Sequence, residues 1–126
     1  MALLAALLAS SWYSPTLEVE LHGDAAYYRP GLMADVCAYR GYPGDGVALM
    51  SCGDLGRFVW VEVNGKWTGP RRVCDCSRQV DYGQNLERDR VLDFSWEEWE
   101  RFGLPLRPVP VRVRFEAPPP WLPIPG

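Results

Sequence analysis

Glycine and proline interrupt this chain too often for long helices. Twelve of each fall within 126 residues; glycine carries backbone entropy that a helix must remove, and proline lacks the N–H that a helix interior needs. The chain therefore reads as short strands separated by turns. Its length allows one domain, because single domains run to about 100–150 residues. Apolar residues at 48% and aromatics at 13% are enough for a packed core. Thirteen basic against sixteen acidic side chains leave a net charge of -3. That lacks the basic surplus which binding to a phosphate backbone requires, so nucleic acid is not an expected partner.

Periodicity gives the elements. Leu17 to Leu21 alternates with period two and reads as an edge strand or extended lead-in, ended by His22-Gly23. Asp24 to Tyr28 reads as an aromatic strand closed by Arg29-Pro30-Gly31, with a helical turn or two over 32–39. Val47 to Cys52 is an apolar strand, turned by Gly53 to Gly56 into a strand over 57–63. Asn64-Gly65 then marks a type I′ hairpin, whose two positive φ angles those residues tolerate. The returning strand covers 66–76, with a break expected at Gly69-Pro70. One short helix follows Asp93: Ser95 and Glu98 have capping-box spacing, Gly103 and Pro105 stop it, and Trp96, Trp99 and Phe102 share a face that fits a core. The last strand, 109–115, alternates valines with arginines and places Pro110 at an edge or strand start. Trp60 and Trp67 flank the hairpin as a cross-strand pair.

Residues 1–22 read as a leader or signal peptide, with an apolar run Ala2 to Ala9 and small residues Ala9-Ser10-Ser11 after it. The run is shorter than the roughly 18–20 residues of a membrane span, so no integral span is expected. Four cysteines, Cys37, Cys52, Cys74 and Cys76, read as two disulfides of an oxidising, secreted or extracytoplasmic compartment. Their spacing lacks a zinc knuckle and His22 is the only histidine, so no metal is expected. The spacing leaves all three pairings open. Residues 117–126 form a Pro-rich tail.

The motif order carries a resemblance. Gly23-x-Ala25-x-Tyr27-Tyr28-x-Pro30-Gly31, an apolar strand before Gly53, Val73-x-Asp75, Val91-Leu92-Asp93-Phe94-Ser95, and Trp99-x-x-Phe102-Gly103-Leu104 follow one another along 23–116. This series resembles the double-psi β-barrel of rare lipoprotein A, expansin N-terminal domains and barwin. The resemblance implies a mainly β fold, a six-stranded pseudo-symmetric barrel, secretion, and work on cell-wall polysaccharide of the peptidoglycan type. No cofactor is implied, and the chain is expected to be a monomer. The chain departs from rare lipoprotein A in reading Met50-Ser51-Cys52-Gly53 where that family carries a His, and Asp75-Cys76-Ser77-Arg78 where it carries Asp-Arg-Gly-Pro. The cysteines bring it nearer to expansin and barwin. With the second strand beside Arg72 to Cys76 in such a barrel, the preferred bridges are Cys52–Cys74 and Cys37–Cys76.

Asp75 matches the family's acidic residue beside the substrate groove and is the candidate catalytic group. Strand alternation sets Cys74 and Cys76 on one face and Asp75 with Val73 on the other. A partly buried carboxylic acid there would protonate a glycosidic oxygen and then act as base, as in a lytic transglycosylase; a hydrolase needs a second carboxylate, for which Asp45, Asp54, Asp81 and Asp93 are present. Tyr28, Arg78 and Asp93 are the candidate substrate-binding residues. Asp93 also suits a structural role, neutralising an arginine or accepting backbone N–H groups. Three functions follow: a glycan-binding domain with little turnover, a glycan-cleaving enzyme, and a structural or protein-interaction module. An open cleft of Tyr28, Asp75 and Arg78 favours the first two. Asp75 buried against an arginine favours the third, and in every case Asp75→Asn is expected to leave the fold intact.

Overall fold

The structure, a computed structural model, describes residues 15–77 and 89–118. Residues 1–14 of the leader, residues 78–88 with Arg78 and Asp81, and tail residues 119–126 lie outside them. Six strands close into a barrel: β1 (Glu20–Tyr27), β2 (Val47–Leu49), β3 (Phe58–Val63), β4 (Lys66–Cys76), β5 (Arg90–Phe94) and β6 (Val109–Arg114). Their order around the barrel is β1-β5-β2-β4-β3-β6. The pairs β1–β5 and β2–β4 are parallel, and the other four are antiparallel. Exchanging β1, β2 and β3 for β4, β5 and β6 maps this neighbour order onto itself, so the topology has the two-fold pseudo-symmetry expected of the barrel.

The interior is built by alternation. Val109, Val111 and Val113 of β6 and Val59, Val61 and Val63 of β3 face inward, and Ala25, Val47, Val73, Leu92 and Phe94 complete the core. Asn64 and Gly65 have φ of 52° and 77°, the double positive turn read from the sequence. The helix α2 (Trp96–Arg101) closes one side: Trp99 is fully buried, and Tyr27 packs on both Trp96 and Trp99. Ser95 Oγ accepts from the Glu98 N–H at 3.1 Å and donates to Asp45 Oδ2 at 2.7 Å. The Glu98 side chain does not complete a capping box; its carboxylate takes Arg71 at 2.7 Å and Arg101 instead.

Several local expectations change. β1 runs straight through His22-Gly23, because this glycine serves a close approach and not a turn. A Cβ there would lie 2.3 Å from the Asp89 carbonyl oxygen and 2.6 Å from Val91. β2 stops at Leu49, and Cys52–Asp54 forms a 3-10 turn capped by Ser51 Oγ, which accepts from the Gly53 N–H. The helical turn or two expected over 32–39 is present as α1 (Leu32–Tyr39), which buries Met33 and Cys37 one turn apart and makes a second helix beside the one that follows Asp93. β4 is unbroken at Gly69-Pro70: Val59 pairs with Arg71 and Val61 with Thr68, so the strand absorbs both residues as a bulge opposite Trp60. Trp67 faces Glu62 and lies under the Arg112 guanidinium, so it is not the cross-strand partner of Trp60.

The disulfides are Cys37–Cys74 and Cys52–Cys76, not the bridges preferred from the sequence. A register shift in the β2–β4 ladder is the reason. Val47 pairs with Val73 but Ala48 pairs with Asp75, which makes Cys74 an extra residue of β4. A bulge puts two neighbours against one partner and resets the alternation beyond it. Cys74 thus joins Met33, Cys37 and Ala48 in a cluster under α1, while Cys76 reaches Cys52 in the 3-10 turn. Gly46 makes room for the first bridge, since a Cβ on it would sit 2.7 Å from the Cys74 sulfur.

Candidate functional site

The same bulge moves Asp75 away from the Val73 face. Ala48 is the register partner of both Asp75 and Asp93, and Ala26 is the partner of Asp93. Laterally paired residues of a sheet point the same way, so Ala26, Asp93, Ala48 and Asp75 form one row on the outer face. The Asp75 and Asp93 backbones are two strand spacings apart, about 10 Å. Tyr28 joins them because its N–H donates to the Phe94 carbonyl at 2.9 Å, which carries the β1 alternation one residue further.

Asp75 is 8% exposed and both of its carboxylate oxygens are engaged. Tyr28 donates its hydroxyl to Oδ2, and Arg40, the residue that caps the end of α1, donates from Nε to Oδ1 at 2.9 Å. Burial, then the Asp75 carboxylate, push the Tyr28 hydroxyl well above the ordinary phenol range, so it stays a donor. Asp93 is raised from 3.8 to about 6: burial is the largest cause and the Asp75 charge adds to it, while Arg90, 3.7 Å away, opposes both. A carboxyl in this state is partly protonated near neutral pH and can donate or accept a hydrogen bond.

The structure thus brings Tyr28, Asp75 and Asp93 together, whereas Arg78 lies outside the described residues. Asp81 lies outside them too, and the two remaining acidic candidates are committed elsewhere. Asp45 accepts from Ser95 and from the Gly46 N–H, and buried Asp54 is held by Arg57 and by the N–H and hydroxyl of Thr16. Arg72, a sequence-stretch neighbour of Asp75, instead donates to the Gly56 carbonyl and stacks on Phe58. Sequence reading missed Arg40 and Arg90. Arg40 had one signal: bridging Cys37 to Cys74 carries the residue one helical turn past Cys37 to the residue after Cys74.

Among the described residues no cluster of three or more His, Cys, Asp or Glu side chains could hold a metal ion, and no helix is long and apolar enough to cross a membrane. No protein-family model matches the chain, and no curated protein matches it either.

Proposed function

We propose that this chain is an extracytoplasmic, monomeric domain that binds a cell-wall polysaccharide of the peptidoglycan type beside Tyr28, Asp75 and Asp93, with little or no cleavage. The observation that carries this reading is the convergence of a phenol, two carboxylates and two guanidinium groups on one outer face. A hydroxyl-rich ligand is oriented by such fixed donors and acceptors. The motif resemblance to rare lipoprotein A, expansin and barwin supplies the ligand class, and two disulfides support an oxidising compartment. Against turnover stands the state of Asp75: a general acid must present its proton to the glycosidic oxygen, and this carboxylate is already bound by Arg40 and Tyr28.

That ion pair also favours a second reading, a structural or protein-interaction module in which Asp75 ties the end of α1 to β4. Incubation of wild type and Asp75→Asn with purified peptidoglycan, with and without stem peptides, separates the readings. Binding without turnover predicts wild type in the pellet and no soluble fragments. Anhydro-sugar fragments from wild type alone would make it a lytic enzyme, and neither pelleting nor fragments would leave the module.

A further inference from the structure

A groove of about 900 Å³ lies on the other half of β1's outer face. Its charges fall into two sets. His22, Arg112 and Glu62 are committed: Arg112 donates to Glu20 at 2.7 Å and to Glu62 at 3.2 Å, and His22 lies 2.9 Å from Glu20. Asp24, Asp89 and Arg107 also line the groove, and among the described residues their side chains have no hydrogen bond or ion pair. These three are arranged across the groove. Asp24 lies on β1, which forms the floor; Asp89 precedes β5 on one side of β1, and Arg107 precedes β6 on the other. A guanidinium and two carboxylates, unpaired among the described residues, therefore line opposite sides of a space large enough for a few residues of peptide.

We propose that this groove is a second binding site, which takes a short zwitterionic peptide: its carboxylate on Arg107 and its ammonium group between Asp24 and Asp89. A neutral sugar offers these three groups no counterion, whereas a ligand with both signs offers a carboxylate to Arg107 and an ammonium group that Asp24 and Asp89 share. The floor also links this groove to the first site. His22, Asp24, Ala26 and Tyr28 occupy alternate positions on one face of β1, and four residues of strand separate Asp24 from Tyr28 by about 13 Å. A polymer seated at Tyr28 would carry a side peptide into the groove, so the ligand assigned here is the stem peptide of the wall polymer; that assignment rests on the function proposed above.

The test titrates the labelled full chain with a synthetic stem tripeptide ending in meso-diaminopimelate, following amide chemical shifts. The same peptide with acetylated amine and amidated carboxyls serves as control, and stem-free glycan strands are pelleted separately. The site predicts saturable shifts at Asp24, Asp89 and Val109, with at least tenfold weaker binding for the capped peptide, for Arg107→Gln and for Asp24→Asn. Unchanged melting temperatures would show both variants folded. No shifts at high peptide concentration, or equal binding by Arg107→Gln, would overturn the proposal. Failure with the peptide while glycan strands still pellet the protein sinks this inference alone; peptide binding without glycan binding sinks the proposed function and leaves the groove as a peptide site.

Discussion

Asp75 accepts hydrogen bonds from two donors that lie 47 and 35 residues away in sequence, and its charge raises the proton affinity of a third residue, Asp93. Replacing Asp75 by Asn keeps one carbonyl oxygen for Tyr28 and removes the partner of Arg40, so we expect an intact fold destabilised by about 1–3 kcal/mol, read by urea denaturation. The same variant removes a charge that disfavours Asp93 ionisation, so a carboxyl NMR titration should find the Asp93 midpoint below its wild-type value of about 6. Asp93 also sets a pH dependence. Its folded value lies above the ordinary 3.8, so between about pH 4 and 6 the folded state holds a proton that the unfolded chain has lost. Its contribution to stability falls as pH rises through that window and is level above it. Asp93→Asn should lack this fall, and an identical pH profile for the two proteins would contradict the raised proton affinity of Asp93.

α1 fully buries just Met33 and Cys37, so the Cys37–Cys74 bridge is a main anchor of the helix on the barrel, beside the Arg40–Asp75 ion pair at its end. A double Cys37→Ser, Cys74→Ser variant should lose about 2–4 kcal/mol of stability, and amide exchange over 32–39 should quicken, because the loop between the cysteines is no longer closed in the unfolded chain. A melting temperature equal to that of wild type would contradict this. Elements of local origin were legible in the sequence. The Asn64-Gly65 turn, the Ser95 cap and the valine alternation of β6 all follow from backbone preferences or side-chain period. The disulfide pairing and the surroundings of Asp75 were not, since one extra residue at Cys74 reverses the face of everything after it. A bulge of that kind has no local signature in Val73-Cys74-Asp75. His22-Gly23 misled for the opposite reason: a residue pair that suits a turn is there to let the Asp89 carbonyl approach.

Closure of the barrel joins chain segments that are far apart, and ion pairs line part of the seam. Glu20 of β1 takes Arg112 and Arg114 of β6, and Arg112 continues to Glu62 of β3. Hydrogen bonding from Arg112 holds the Glu20 carboxyl below its ordinary range, although burial works against it. That stabilisation is present above the unfolded value near 4.5 and is lost as pH falls through the folded one. Glu20→Gln should therefore flatten the acid limb of a stability profile, and an unchanged limb would mean that the seam pairs contribute nothing. At this scale the six-stranded barrel was legible from motif order and strand count, while the occupant of its outer face was not. The most direct measurement is amide shift mapping of the full chain with soluble, stem-free glycan fragments. Our account predicts saturable shifts at Tyr28, Ala48, Asp75 and Asp93 that weaken in Tyr28→Phe. Shifts absent at saturating glycan, or confined to residues outside that row, would contradict it.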